Sequence, residues 1–424
     1  MKVIGDFHIH SRFARACSTA LGIKNLAKWG KVKGISVLGT GDFCHPKYQE
    51  EIKQELVREE DGIYYTKDDY PFVLTVEISS MYGDGVKSRK VHNLLMAPSM
   101  EVVDQVTEFL GKYGNLTADG RPIIGRKLDC PGLVEGLMSI SKDIEITPAH
   151  AYTPYFGVFG SISGFDSLEE CFKDQTKHIH SIETGMSSTP DMNWRIKDLD
   201  KITLMSNSDC HSFWPHRLGR EANVFDLKKL TYSNIVKAIR DPSNGFEGTI
   251  EVDSGYGKYH FDGHAACGVS MHPNESNKLN KLCPKCGKKM TIGVLNRVEE
   301  LAEPDRPEGF NPGNRPGFKT LIPLSEVISG VMNTTPLTKK TWTIYDLLIE
   351  KFGNEYNVLL DVPKEELDKV IGEKLSNAIL KNRLGEIKVK PGFDGEYGIP
   401  LFEESERENT NPRIGKKQKT LMEF

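Results

Sequence analysis

The sequence predicts an α/β fold, and three observations carry the prediction. Short apolar segments at 2–8, 35–40, 72–78, 91–97, 144–149, 180–184 and 202–207 read as strands. Helical stretches, for example 48–59, 100–112 and 131–141, fill much of the space between them. Histidines and carboxylates gather where the apolar segments end, as they do at the strand ends of catalytic barrels. Alternation of this kind makes either an α/β barrel or an open parallel sheet. The 424 residues suffice for two or three domains and a full core.

Composition narrows the classes further. Hydrophobic residues are 38% of the chain, too many for a wholly disordered protein. No run of about 18 apolar residues exists, so no membrane helix is expected. Met1-Lys2 leads straight into Val3-Ile4 with no signal-peptide pattern, and an intracellular, cytoplasmic chain is expected. The 55 Lys and Arg against 59 Asp and Glu leave a net charge of -4. Any surface for a polyanion is therefore a local patch, or it borrows its positive charge from metals.

Each strand end brings a functional group. The first runs through Asp6-Phe7-His8-Ile9-His10, and alternation in an extended chain puts His8 and His10 on one face, about 7 Å apart. The second ends at Gly41-Asp42, the third at Val76-Glu77, the fifth at Ala149-His150 and the seventh at Asp209-Cys210-His211. His92 starts its strand rather than ending it, which fits if that strand runs antiparallel to the third. Glu183 ends the sixth strand and is the candidate to hold a ligand from behind. Mixed imidazole and carboxylate donors suit zinc, manganese or iron. His178 and His180 form a second His-x-His at a strand start, where a solvated role is expected. His45 and His216 stand in loops near the site.

Beyond the strands the texture changes at 241–257, where Asp241-Pro242-Ser243-Asn244-Gly245 and Asp253-Ser254-Gly255 read as breakers. The expected organisation is a metal-site domain over 1–248 and a metal-binding module with linker over 249–322. A small α-rich region over 323–402 and a flexible, charged tail over 403–424 follow. In the α-rich region helices are expected near 324–332, 343–352 and 363–383. The segment 303–318 is rich in Pro and Gly and is either a linker or an extended crossing segment.

Of eight cysteines, three cluster. His264-Ala-Ala-Cys267, fifteen residues and then Cys283-Pro-Lys-Cys286-Gly287 resembles a zinc ribbon or knuckle, with two pairs each spaced to reach one tetrahedral ion. His264 fits the symmetric spacing as fourth ligand, and His260 or His272 are the alternatives. The chain ends in Gln418-Lys419-Thr420-Leu421-Met422-Glu423-Phe424. One helical turn puts Leu421 and Phe424 on one side, with Gln418 a turn earlier. This pattern resembles the peptide that docks on the sliding clamp PCNA.

The segments DFHIHSRFARA, GTGDFCHP, VEIS, HNLLMAP, PAHAYTPYFGVFGS and SNSDCHS resemble the motifs of the polymerase-and-histidinol-phosphatase superfamily. That resemblance implies a distorted seven-stranded β/α barrel with a two- or three-metal phosphoesterase site. Carried over by motif, His8, His10, Glu77 and Asp209 form the catalytic set and hold one metal. Glu77 bridges to a second held with His92 and His150, and Asp42 with His211 serves a third. The usual Thr-Asp-His of the second motif is Gly41-Asp42-Phe43 here. The missing histidine leaves the third metal open, or passes its role to Asp42 or His45.

Barrel, zinc module and clamp peptide together resemble one family, endonuclease Q of DNA repair. The likeness also runs through SGFDSLEECF, ETGMSSTPDMNWR, LGREANVFD and CGKKMTIGVLNRVEELA. It implies a metal-dependent hydrolase that cleaves the phosphodiester 5′ to uracil, hypoxanthine, xanthine or an abasic site. Zinc is implied in the knuckle and in the catalytic cluster, with magnesium or manganese as alternative catalytic ions. Implied partners are damaged DNA and PCNA, at the chromosome and with no membrane. Two metals supply a nucleophilic hydroxide at neutral pH and neutralise the phosphate oxygens. Reading a lesion requires taking the base out of the stack. Tyr152, Tyr155, Phe156, Phe159, Phe213 and Trp214 either stack on such a base or form an apolar lid. Lys87, Arg89 and Lys90 either meet phosphates or stand in solvent. Three other readings are a small-molecule phosphatase, an exonuclease and a clamp-tethered DNA-binding adaptor.

Overall fold

Strands occupy all seven expected positions in the computed structural model, which describes residues 1–125 and 127–402. They are Lys2–Asp6, Val37–Gly39, Pro71–Gly83, Ser88–Ala97, Glu145–Pro148, Ser181–Glu183 and Thr203–Met205. Both faces of most of them are buried, which is why they read as apolar runs rather than alternating ones. The first pairs parallel with the second through Gly5 and Val37, and the second with the third through Leu38 and Phe72. The Ser88–Ala97 strand runs antiparallel to its neighbours on both sides, as the position of His92 requires. The Ala151 N–H donates to Glu183 O at 3.0 Å, Ser181 pairs with Thr203, and a parallel bridge from Cys210 to Ile9 returns to the first strand. The result is a distorted seven-stranded barrel.

The distortion has a cause. The outer edge of Lys2–Asp6 is taken by Ala222–Asp226, antiparallel, so the seventh strand reaches the first only beyond its end. From there the sheet leaves the barrel through Phe246–Glu251 and Gly317–Thr320. The Phe246–Glu251 strand runs across position 248, where the texture change placed a boundary. The segment before Gly317 is a crossing piece rather than a free linker, because Arg306 grips Asp200 with two bonds of 2.7 Å. Val3, Val37, Val73, Met96 and Met205 cluster with Ile235 and Ile239 of the helix Tyr232–Arg240, which plugs one end.

Helices Met100–Gly111 and Cys130–Ile140 match expectation, and their caps explain where they start: Ser99 accepts from the Val102 N–H and Asp129 from the Gly132 N–H. The helix expected over 48–59 is instead Pro46–Glu55. Leu56–Glu60 turns into a hairpin with Ile63–Thr66 through Asp61 and Gly62, at φ of 53° and 77°. Asp-Gly at two positive φ values is a tight hairpin signal that outweighs helix periodicity.

The cysteine-bearing stretch forms a small unit of its own, with the hairpin Asp262–His264 and Val269–Met271 and a core of Val269, Cys283 and Met290. Helices Leu324–Val331, Lys339–Phe352, Glu355–Leu360 and Lys364–Arg383 follow. The second begins before the expected 343 because Thr338 accepts from the Thr341 N–H, and an extra helix starts at the Asn354 cap. The last contains a break at Gly372, at φ 74°. Residues 388–401 then return to the cysteine module, where Asp394 accepts from the Ala265 N–H and the Thr291 hydroxyl, each at 2.6 Å. Gln418, Leu421 and Phe424 lie outside the described residues. Among the described residues no helix is long and apolar enough to cross a membrane.

Candidate metal centre at the barrel mouth

The strand ends deliver two groups of donor atoms, His8 with His10 and Asp209, and Glu77 with His92 and His150. Within each group the donor atoms lie within 4.8 Å of one another. Strand geometry puts them there. His8 and His10 follow Lys2–Asp6 on one face, and Glu77 and His92 sit on paired antiparallel strands. His150 and Asp209 follow the fifth and seventh strands at φ of 32° and 45°. Asp42 has φ 40° as well, so three site residues hold a backbone conformation that L side chains rarely adopt. Such positions cluster at functional sites, where the surrounding fold compels them.

The two histidines of the first strand are held alike. His8 Nδ1 lies 2.9 Å from Glu183 Oε2, and His10 Nδ1 lies 3.3 Å from Asp42 Oδ1. Each carboxylate accepts from the Nδ1–H and turns Nε2 toward the cluster, the arrangement that orients metal-binding imidazoles. Glu183 also accepts from the His150 N–H at 3.0 Å and from Asn207 Nδ2 at 2.8 Å. Asn207 in turn accepts from the Phe7 N–H at 2.8 Å. One carboxylate thus ties the first, fifth and seventh strand ends together.

The electrostatics follow from burial and crowding. Burial disfavours charge on His8, yet Glu183 and Asp209 outweigh it and push its pKa up to about 9. Burial, with the neighbouring His150, drives His92 well below the ordinary histidine range, and burial lowers His150 too. Burial opposes the charge on Asp209, but His8, His10 and His211 hold its carboxyl well below the usual range. His8 Nε2 is buried, makes no hydrogen bond, and faces Glu77 Oε1 at 3.6 Å and Asp209 Oδ1 at 3.7 Å. A buried ring nitrogen with no hydrogen-bond partner, set between two carboxylates that favour positive charge there, marks a place a divalent cation would fill in exchange for the Nε2 proton, so the donor set fits divalent metals.

The remaining candidates separate. Among the described residues, Asp42 and His211 join no group of three donors. Asp42 is taken by His10 and by the Ser11 N–H at 2.6 Å, and His211 Nδ1 meets Cys17 Sγ and Arg15 O. His45 stacks on Phe13 with centroids 4.2 Å apart, and His216 is buried elsewhere. His180 stands 3.7 Å from Glu145, on the far side of its strand from Glu183. Arg121 is the residue the sequence did not disclose. It comes from a loop between two helices, and its Nη1 abuts Glu77.

A cavity of about 220 Å³ opens beside the cluster, lined by His150, Glu183, Asp209 and His211 on the barrel side. Lys258, Tyr259 and Tyr397, from the cysteine module and the returning hairpin, form the opposite wall. Of the expected base-stacking residues, Tyr152 and Phe159 are buried, with Tyr152 bonded to Asn193 at 2.7 Å. Phe156 leans on His92 at 4.4 Å, and Phe213 and Trp214 pack on Trp29. Arg89 is no free phosphate ligand: it pairs with Asp84 and stacks 3.8 Å over Phe165.

In the cysteine module, His264, Cys267, Cys283 and Cys286 form a third donor group. His260 Nδ1 instead faces Ser187 O at 3.1 Å, and His272 caps the Asn274 N–H at 3.2 Å. Gly268 and Gly287, at φ of 60° and 72°, turn the chain after each pair; Cys283 is buried, Cys267 half-buried and Cys286 exposed.

Residues 323–386 match the family described as the MJ0043 C-terminal domain. An uncharacterised protein of Methanocaldococcus jannaschii is 35% identical over 258 residues, 60% of this chain; the match spans only 31% of that longer protein. The uncharacterised YqxK of Bacillus subtilis is 27% identical over 94% of this chain and 98% of its own. The crystal structure of the lesion-specific endonuclease Q of Pyrococcus furiosus superposes with a TM-score of 0.84 at 31% identity, over 95% of this chain and 96% of that one. An endonuclease Q bound to a 27-mer duplex with an abasic lesion at its active site superposes at 0.85 with 32% identity, over 96% and 98%. Likeness of that extent includes the barrel, the cysteine module and the helical region alike, and the chain belongs to the endonuclease Q family.

Proposed function

We propose that this chain is a metal-dependent DNA endonuclease that hydrolyses the phosphodiester 5′ to deaminated bases (uracil, hypoxanthine, xanthine) and to abasic sites. The observation that carries the reading is the pair of donor groups, His8, His10, Asp209 and Glu77, His92, His150, beside a cavity. It is supported by the family relative that holds an abasic duplex at its active site. His8, His10 and Asp209 would hold one ion and Glu77, His92 and His150 a second. Bound there, the ions supply a nucleophilic oxygen at neutral pH and neutralise phosphate charge.

The chain's own residues do the rest. Glu183 and Asp42 keep the Nδ1 protons of His8 and His10, so that Nε2 presents a lone pair to the cluster. Asp209 stays ionised to low pH and supplies negative charge at the open side of the site. The cavity between barrel and cysteine module receives the extruded lesion, with Tyr259 and Tyr397 in its wall. His264, Cys267, Cys283 and Cys286 would hold a structural zinc, since three thiolates and an imidazole are the donor set of closed zinc sites. Gln418, Leu421 and Phe424 would dock on the sliding clamp PCNA; the support for this is the sequence pattern alone. As domain units we keep 1–248, 249–322, 323–402 and 403–424, although the strand Phe246–Glu251 crosses the first of these bounds.

A duplex with one internal uracil or abasic site, incubated with and without added Mn²⁺ or Mg²⁺, tests the reading on a denaturing gel. Closed-circular DNA bearing the lesion separates an endonuclease, which nicks it, from an exonuclease, which does not. Glu77→Ala and Asp209→Ala should each abolish nicking while thermal unfolding shows an intact fold. Normal nicking by both folded variants would remove the site assignment.

A further inference from the structure

We infer that Arg121 is the residue that binds the scissile phosphate in the endonuclease reaction, an assignment that rests on the functional reading above. Among the described residues the six candidate ligands meet one guanidinium, and it is Arg121, against Glu77. Its side chain is 12% exposed, so the group is not sealed off from solvent. Nη2 lies 3.3 Å from Asp119 Oδ2, which steadies the plane of the group from behind.

The backbone on either side is anchored. Pro122 O accepts from the Ser79 N–H at 2.9 Å, and Ile123 and Ile124 pair parallel with Ser79 and Ser80, two residues past Glu77 on the same strand. On the other side, Asp119 accepts from the Arg15 N–H at 3.2 Å. Gly120, at φ 73°, comes so near Ala14 that a Cβ there would stand 2.4 Å from its nitrogen. The loop is thus clamped between the first strand's extension and the strand of Glu77, and Arg121 is the side chain it delivers.

Chemistry then selects the ligand. A guanidinium spends one donor on Glu77 and one on Asp119 and keeps others for a planar, bidentate grip on two phosphate oxygens. Lysine would supply a point charge without that fork. Arg220, which lines the neighbouring cavity and meets none of the six candidate ligands, donates Nε and Nη2 to Ser208 O at 3.0 and 2.8 Å, on the loop that carries Asp209. Asp209 and Glu77 repel a phosphodiester, and a guanidinium beside Glu77 offsets that repulsion in addition to the ions the donor groups would hold.

The test compares Arg121→Gln and Arg121→Lys with wild type in the full chain. Binding is read by fluorescence anisotropy before turnover, without added divalent ions, on two abasic duplexes. One carries a normal scissile phosphate and the other a neutral methylphosphonate at that linkage. Arg121→Gln should weaken the phosphate duplex about tenfold and the methylphosphonate duplex hardly at all. The slope of log affinity against log salt should fall by about 0.9 for the phosphate duplex in that variant. Single-turnover nicking should drop roughly 10²–10³-fold, with Arg121→Lys recovering only part. Equal loss on both duplexes, unchanged affinity in both variants, or a loss of bound metal matching the loss of nicking would each overturn the assignment. Wild-type nicking is the control: its absence defeats the endonuclease reading itself, whereas wild-type nicking with unaffected variants defeats only the role of Arg121.

Discussion

Glu183 Oε2 lies 2.9 Å from His8 Nδ1, and both side chains are buried. The same carboxylate holds the His150 N–H and Asn207, so one residue aligns donors of both candidate metal groups. It touches no cluster centre itself and is a positioning residue. Glu183→Gln keeps the volume but loses the charge and one acceptor. Mn²⁺ affinity measured by titration should fall about 10- to 100-fold, with the melting temperature little changed. Unaltered Mn²⁺ affinity would show that His8 needs no such support.

The cysteine module offers a second, independent metal test. Cys283 is buried at the centre of the module's small core, with Val269 and Met290. Closed sites couple metal binding to folding. Cys283→Ser and His264→Ala should each lower bound zinc by about one equivalent, read by elemental analysis, and open residues 258–298 to protease. His272→Ala should leave the zinc content alone, because His272 already serves as a helix cap. Loss of zinc in His272→Ala with none in His264→Ala would reverse the ligand assignment.

The helical region is bound to the barrel by a buried ion pair. Lys33 Nζ lies 2.7 Å from Glu355 Oε1 and 2.7 Å from Pro215 O, and Glu355 also accepts from the Leu324 N–H and from Tyr345. Trp29, Trp214 and Trp342 close over the same seam, with centroids 5.0 to 5.7 Å apart. Removing one buried partner strands the other charge. Glu355→Ala should cost about 3–5 kcal/mol in chemical denaturation. Lys33→Met with Glu355→Leu should cost less than either single change, and a strictly additive double variant would refute the coupling.

His216 makes that seam acid-sensitive. It is buried, and burial, then Arg217, Lys33 and Arg220, pushes its pKa from 6.5 down to about 3. The folded chain therefore keeps His216 neutral while the unfolded chain takes up a proton below pH 6.5. The stability it contributes is present above that pH and is lost as pH falls toward 3, by about 2 kcal/mol at pH 5. His216→Gln should flatten this part of the stability profile between pH 7 and 5, as read by denaturant titration. A slope as steep as wild type would assign the acid sensitivity elsewhere.

The tail makes a separable prediction. Leu421→Ala with Phe424→Ala should eliminate binding to PCNA in calorimetry and leave basal nicking unchanged. A single helical turn is unstable alone, so the affinity should be modest. Full clamp binding by the double variant would place the contact elsewhere in the chain.

The sequence by itself determined the strands and their chemistry. A strand's pattern is local: apolar runs set its span, and the donors at its end are adjacent in the chain, as His8 and His10 are. The knuckle spacing of Cys283 and Cys286 is local in the same sense, and so is the antiparallel strand implied by His92. The Asp61-Gly62 turn was just as local, but the helix periodicity before it masked the signal. Only the tertiary structure decided which carboxylates face the cluster and which stand behind it. Glu77, expected at a strand end, sits in the middle of Pro71–Gly83 and faces the cluster, whereas Asp42 and Glu183 stand at strand ends and orient His10 and His8, because the closure of the barrel turns their oxygens toward Nδ1. It also set His264, and neither His260 nor His272, beside the three thiols, brought Arg121 to Glu77, and joined Lys33 to Glu355 across 322 residues. Such pairings depend on how whole layers pack, and no spacing along the chain encodes them.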